Sequence, residues 1–160
     1  MGDLLVRLYD LPEFPSEAKV IAAGVTVRRA LPPERHLVAD WVRKHFSPYW
    51  VSEVEAAVSR LPVTCWIAIK DDQLLGFACH DATAKGFFGP TGVDEAARGQ
   101  GIGEALLIAA LRGMREAGYA YAVIGGAGPV DFYKKRLDAF AIPDSTPGIY
   151  QGMLRPPKSD

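Results

Sequence analysis

The 160-residue chain carries 18 basic and 19 acidic side chains, with 49% hydrophobic and 23% charged residues. That composition excludes disorder, collagen and coiled coil, and describes one soluble domain, 1–160, able to bury a core without a metal or disulfide staple. A net charge of −1 at pH 7 provides no global field for a polyanion, so nucleic acid is not an expected partner and an anionic ligand must be gripped locally.

Cys65 and Cys79 stand in apolar runs without zinc or redox spacing and read as buried reduced thiols, with no metal expected. Val6 replaces the Ser or Thr of a myristoylation signal, and Asp3 and Arg7 interrupt any secretory segment. The longest uncharged stretch, Ala117 to Val130, has 14 residues against the ~20 that span a bilayer. A cytoplasmic protein without a membrane partner is expected.

In chain order, Leu4 to Leu11 predicts a strand ended by Pro12. A loop follows at Pro15, Ser16 and Glu17, and then a strand over Val25 to Ala30, so 1–24 forms an N-terminal strand and loop. Pro32-Pro33 opens a helix whose stripe holds Leu37, Val38, Trp41, Val42, His45 and Phe46. Ser52 and Glu55 have capping-box spacing and predict a second helix with Val51, Val54, Val58 and Leu61 on its apolar side. Val63 to Lys70 and Leu74 to Thr83 form a hairpin about Asp71-Asp72-Gln73, and Phe87 to Val93 is a third run. Glu104 to Ala117 reads as a helix stopped by Gly118, Tyr119 to Ile124 as a strand, Val130 to Leu137 as a helix and Gly148 to Leu154 as a last strand. Residues 155–160 form a polar tail. The order gives an α+β fold, a mixed and mostly antiparallel central sheet flanked by helices with one late strand-helix-strand crossover. The Leu4 to Leu11 strand, placed at an edge, offers a surface for a homodimer.

The chemistry concentrates in Arg98-Gly99-Gln100-Gly101-Ile102-Gly103, between a predicted strand and a predicted helix. Glycines alternating there leave backbone N–H groups open at a helix N-terminus, where the macrodipole favours phosphate, and Arg98 adds a cation. The spacing G-x-G-x-G is not the dinucleotide G-x-G-x-x-G, and no Gly-Lys-Ser or Gly-Lys-Thr occurs, so nicotinamide and ATP recede.

With Val93 before that loop, and Phe132-Tyr133-Lys134-Lys135 after the crossover strand, the chain resembles the GNAT superfamily of acetyl-CoA-dependent N-acetyltransferases over about Val25 to Leu154. The resemblance implies a wedge where strands splay at the one ending in Val93, with the pantetheine arm paired along Thr91, Gly92 and Val93. Residues 98–103 would hold the pyrophosphate, the Val93 N–H would face the thioester oxygen, and Phe132 and Tyr133 would line the cofactor. Tyr133 is the implied proton donor to sulfur, and Lys134, Lys135 and Arg136 form either a solvated helix face or one from which a cation, Lys135 first, would approach the 3′-phosphate. Gly126 stands where many relatives have an Asn contacting the pantetheine. Many relatives also use a Glu on or beside the Phe87 to Val93 strand as base; that strand has no acid, and His80 and Asp81 on its neighbour are the nearest substitutes, only one of which can face the cleft.

The expected acceptor site lies between the early helices and the Pro143 to Tyr150 loop. Ser145, Thr146 and Tyr150 form one wall and Tyr49 and Trp50 the other, with Trp41 and His45 either beside them or, as their place on the core stripe favours, buried, while Glu53 or Glu55 either attracts a cationic amine or caps a helix. The expected reaction is acetyl transfer to the primary amine of a small molecule such as an amino sugar, amino acid or polyamine. A non-catalytic acyl-CoA sensor and a protein Nα- or Lys-acetyltransferase stay open beside it.

Overall fold

A computed structural model describes residues 2–158; Met1 and the last two residues of the predicted tail, 159 and 160, lie outside the described residues. Among the described residues seven strands form one sheet in the order β2-β3-β4-β5-β6-β1-β7. They are β1 (Leu4–Arg7), β2 (Thr26–Arg29), β3 (Cys65–Lys70), β4 (Gln73–His80), β5 (Phe87–Val93), β6 (Tyr121–Ile124) and β7 (Phe140–Ala141). All neighbours are antiparallel except β5 and β6, the pair joined by the crossover helix.

Helices cover both faces: α1 (Ser16–Ala22), α4 (Ile102–Glu116) and α5 (Val130–Leu137) on one, α2 (Arg35–His45) and α3 (Pro48–Val58) on the other. The α4 side chains Leu106, Ile108, Leu111 and Met114 are fully buried against the sheet, and Val38, Val42, Val54 and Val58 fill the opposite layer. Fully burying such a side chain contributes roughly 1.5–3 kcal/mol.

Several expectations are corrected. The first strand stops at Arg7 and passes into a 3-10 turn at Leu8–Asp10, and the loop expected at Pro15 to Glu17 opens α1. In α2, Val38 and Val42 face the sheet, whereas the adjacent i, i+4 row of Leu37, Trp41 and His45 lies at the rim. Leu37 is 60% exposed, and the Trp41 ring stacks on His45 at 4.3 Å. The cap of α3 is Ser47, whose hydroxyl accepts the Tyr49 N–H at 3.1 Å with Pro48 in the first turn, so Ser52 lies inside the helix.

Gly148 to Leu154 is not a strand. Pro147 lacks an N–H, and Gly148 and Gly152 take left-handed φ of 64° and 71°, which turn the chain instead of extending it. The seventh strand is instead Phe140–Ala141, and it pairs with β1 at Leu4 and Leu5. β1 thus lies between β6 and β7 and not at the edge of the sheet, with β7 pairing only its Leu4 and Leu5.

The feature that positions the site is a parting of β5 from β6. Their ladder holds only at Phe87 with Val123 and Phe88 with Ile124. Beyond it, Gly89 and Pro90 form a bulge opposite Cys79, with Gly89 at φ 118°, and Pro90 has no N–H with which to continue pairing. Thr91 to Val93 stay with β4 while the chain after Ile124 turns away at Gly125 and Gly126.

Candidate active site

The gap between β5 and β6 opens into a cavity of about 500 Å³ floored by the N-terminus of α4. Its strand wall has free main-chain groups. Asp94 N–H donates to Leu75 O at 2.8 Å, so by antiparallel alternation Gly92 pairs with β4 and the intervening Thr91 and Val93 turn their N–H and C=O groups away, into the gap. The Val93 carbonyl accepts the Arg98 Nε–H at 3.3 Å, which fixes the guanidinium beside the strand end and leaves the Val93 N–H available.

The following loop reaches α4 through Gly99 and Gly101, at φ 82° and 85°, a region that side chains strain to enter. A Cβ on Gly101 would also stand 2.8 Å from the Ser16 Cβ. Ala105 N–H makes a bond to Gly101 O at 3.0 Å, so the N–H groups of Ile102, Gly103 and Glu104 precede it unpaired, as at any helix start. Glu104 would oppose an anion here. Its carboxylate is held by the Ser16 hydroxyl at 2.8 Å and by Arg136 at 3.0 Å, which offsets that charge. Backbone donors, an aligned helix dipole and Arg98 make a cradle that fits a diphosphate.

Of the expected cofactor residues, Thr91, Gly92, Val93, Arg98, Gly99, Gly101, Ile102, Gly103, Phe132 and Tyr133 line this cavity. Gln100 and Lys135 are exposed and do not line it. Phe88, Ala97, Glu104 and Leu107 complete the wall without having been singled out by the sequence. Tyr133 is buried on α5, and that burial alone raises its hydroxyl pKa, keeping the proton in place.

His80 and Asp81 are not brought to the cavity. They lie by the opposite end of α4, where His80 Nε2 is 3.2 Å from where a side chain on Gly113 would begin. Ten residues of helix, about 15 Å, separate Gly113 from Gly103 in the phosphate loop. The pair is internally bonded instead. Asp81 accepts His80 Nδ1 at 2.6 Å on one oxygen, and Gly86 N–H at 2.8 Å and the Tyr119 hydroxyl at 2.7 Å on the other. Burial lowers the His80 pKa despite Asp81 beside it. Burial opposes ionisation of Asp81, but these three donors overcome it and hold its carboxyl below the usual range.

From the cofactor cavity a second space of about 300 Å³ continues past Phe88, Thr91 and Tyr133 into the gap itself. It shares Trp50, Phe88, Pro90 and Gly125 with a third, about 370 Å³, on the α3 side of the sheet. The three lie in series, a passage marked out by their shared walls from the phosphate loop to the α3 side. The third space is lined by Ser47, Tyr49, Trp50 and Glu53 from α3, by Thr83, and by Tyr150, Met153 and Arg155 from the C-terminal segment.

Here a carboxylate does meet the passage. Burial pushes the Glu53 carboxyl above the usual range against the Thr83 hydroxyl, which donates to it. Burial, then the charges of Glu53 and Asp3, raise the Tyr150 hydroxyl. That hydroxyl sits 2.7 Å from where a Gly125 side chain would begin, a close approach that only glycine permits. Trp41 and His45 do not line this space, and Ser145 is spent within the fold, accepting Asp3 N–H at 2.8 Å and donating to Ile142 O at 2.6 Å. Glu55 and Thr146 also stay outside it. Among the described residues no helix is long and apolar enough to cross a membrane, and no acid, His or Cys group could hold a metal ion.

A model of the Acetyltransferase (GNAT) family matches residues 29–138. No curated protein matches the chain. Among solved structures, a GCN5-related glucosamine N-acetyltransferase region of a fungal multi-domain GH3 beta-N-acetylglucosaminidase superposes with TM-score 0.72 at 17% identity, over 88% of this chain and 19% of that one. A GCN5-related N-acetyltransferase from Sphaerobacter thermophilus gives 0.66 at 22% identity, over 88% and 48%. One from Kribbella flavida gives 0.60 at 23%, over 88% and 53%. These likenesses show the fold, and the chain spans from about a fifth to about half of each relative's length.

Proposed function

Because the chain belongs to the Acetyltransferase (GNAT) family, we propose that it transfers the acetyl group of acetyl-CoA to the primary amine of a small polyhydroxylated acceptor, an amino sugar. The observation that carries this reading is Glu53, a half-buried carboxylate at the far end of a passage that begins at the phosphate loop. Bound acetyl-CoA supplies an activated acyl thioester. Arg98 and the amides after Gly101 hold its diphosphate, and the Thr91 and Val93 main chain pairs with its arm as an added strand would. The Val93 N–H is the donor placed for charge developing on the acyl oxygen.

On the other side of the sheet Glu53 attracts the ammonium form of the acceptor and takes a proton from its nitrogen. A carboxylate with a raised pKa is the better base for that task. The Thr83 hydroxyl orients it. Tyr133 Oη holds the proton destined for the departing sulfur, and burial keeps it protonated at neutral pH. Confinement of both partners in one passage is the larger contribution, up to about 7–11 kcal/mol when the geometry is well aligned.

Two features favour an amino sugar. Tyr49, Trp50 and Tyr150 line the space with aromatic side chains suited to ring C–H groups, while Ser47, Thr83, Glu53 and Arg155 bring polar groups suited to hydroxyls. The glucosamine N-acetyltransferase region also has the highest TM-score among the reported relatives. The sensor reading rested on the missing acid of the β5 strand, and Glu53 on α3 supplies one from elsewhere. Thiol release from acetyl-CoA with a panel of amines tests the proposal. Turnover of hexosamines ahead of amino acids and polyamines is expected, and a protein that binds acetyl-CoA but acetylates no amine would overturn it.

A further inference from the structure

Cys65 and Cys79 take no part in the passage, yet they face each other across the β3–β4 ladder in matched register. Neighbouring bonds define the pair. His80 N–H donates to Thr64 O at 2.9 Å, while the Cys65 carbonyl turns the other way and accepts Ala30 N–H at 2.8 Å. The two cysteines are therefore a non-hydrogen-bonded pair, whose Cα atoms approach to about 4.5 Å. A disulfide bridges Cα atoms about 4.4–6.8 Å apart, so no strand has to move. Opposed residues point to one face, and here both side chains are 0% exposed beneath α2 and α3. Burial, then the Cys65 thiol beside it, pushes the Cys79 thiol well up, so its sulfur is protonated at neutral pH.

We propose that Cys65 and Cys79 form a redox modification site that a peroxide oxidises to a cross-strand disulfide. In the first step one thiol gives up its proton and its sulfur attacks hydrogen peroxide, the O–O bond breaks, and the displaced hydroxide takes that proton as one water, leaving a sulfenic acid. In the second, the opposing sulfur displaces the sulfenic hydroxyl, the S–S bond forms, and the thiol proton leaves with that hydroxyl as a second water. Two thiols are oxidised by two electrons in all, and one peroxide is reduced to two waters.

The site is selective for geometric reasons. Both side chains are fully buried, so oxidation requires a local opening, and one wide enough for water admits peroxide, which is little larger, but keeps bulky oxidants out. A sulfenic acid formed there already has its resolving thiol opposite, so the disulfide forms before a second oxygen is added. The bond would clamp β3 to β4 directly across from the bulge at Gly89 and Pro90, under the acceptor side of the passage.

The test is graded hydrogen peroxide on the intact protein, then alkylation in denaturant, intact mass and peptide mapping. Met153, 37% exposed, gauges the dose through its sulfoxide. The expected result is loss of both alkylatable thiols and of two hydrogens per chain, with no oxygen on either cysteine and full recovery with a thiol reductant. In Cys65→Ser or Cys79→Ser the remaining cysteine should instead give a sulfenic acid that dimedone traps. The wild-type result decides should either variant fold poorly. Two free thiols at doses that fully convert Met153, oxygen added to either cysteine in the wild type, or a bond between chains would each overturn the proposal.

Discussion

The Asp3 carboxylate accepts the Gly126 backbone N–H at 2.9 Å, joining residues 123 positions apart at the point where β6 leaves the sheet. The same residue donates its own N–H to Ser145 at 2.8 Å, and its carbonyl accepts Ile142 N–H at 2.9 Å. One buried residue beside the N-terminal strand thus holds both the mouth of the gap and the segment that delivers Tyr150.

Asp3→Ala strips the acceptor from a part-buried N–H, which costs about 1–3 kcal/mol. Calorimetry should show a lower Tm by several degrees. Kinetics should show KM for the amine rising several-fold, while acetyl-CoA affinity changes less than twofold, because the phosphate loop is anchored elsewhere. Equal loss for both substrates would refute this division.

Arg98 is exposed, and its recorded partner is a backbone carbonyl, so Arg98→Ala should leave Tm within about a degree. Loss of a charge-assisted contact of about 1.5–3 kcal/mol predicts roughly 10- to 150-fold weaker acetyl-CoA binding by titration calorimetry. Gly101→Ala should weaken binding as well but also lower Tm, since its φ of 85° and the Ser16 contact both exclude a Cβ. Together the two variants separate grip from scaffold.

The phosphate loop was legible because its function is local: glycines, a cation and a helix start are consecutive in sequence. Glu53 was legible as a residue that attracts an amine or caps a helix, but its proposed role as base was not, because that role depends on which helix faces the gap from the far side of the sheet. Had Ser47-Pro48 been read as the start of α3, Trp50 and Glu53 would have fallen on one i, i+3 row, which is the signal that pointed toward the passage. His80 and Asp81 misled for a related reason. Strand alternation gives the face of a side chain but not its distance along the sheet from the gap, and these two sit at the wrong end. Of the two edge strands β2 was legible, whereas β7 was missed because two residues, Phe140 and Ala141, suffice for its pairing, too short a run for periodicity to register.

Tyr133 is raised by burial alone, so its hydroxyl stays protonated across the neutral range and its ionisation should place no alkaline limb below about pH 10. Tyr133→Phe keeps the ring and its edge contact with Phe132 at 5.3 Å. A fall in kcat of about 10²-fold or more, with acetyl-CoA affinity within threefold, is expected between pH 6 and 9. Unchanged turnover would assign the proton to another donor, with Tyr150, whose hydroxyl reaches Gly125 at the gap, the next phenol to test.

Glu53 carries the clearest pH signature. Its carboxyl is raised by burial, so activity should fall with decreasing pH through a midpoint above the ordinary glutamate value of about 4.3. Glu53→Gln should lower kcat/KM by about 10²- to 10⁴-fold and abolish that acid limb. The stability effect has the opposite sign. Between the unfolded and the raised folded pKa the native state holds more protons than the unfolded chain, so stability falls as pH rises through that window. At pH 7 the wild type therefore carries the cost of a partly desolvated carboxylate, and Glu53→Gln should melt at the same temperature or higher. The difference should close below about pH 4, where both states of the wild type are protonated. A variant that is slow yet no less stable at neutral pH marks a group kept for chemistry, whereas one that loses stability at pH 7 would make Glu53 a packing residue held by Thr83.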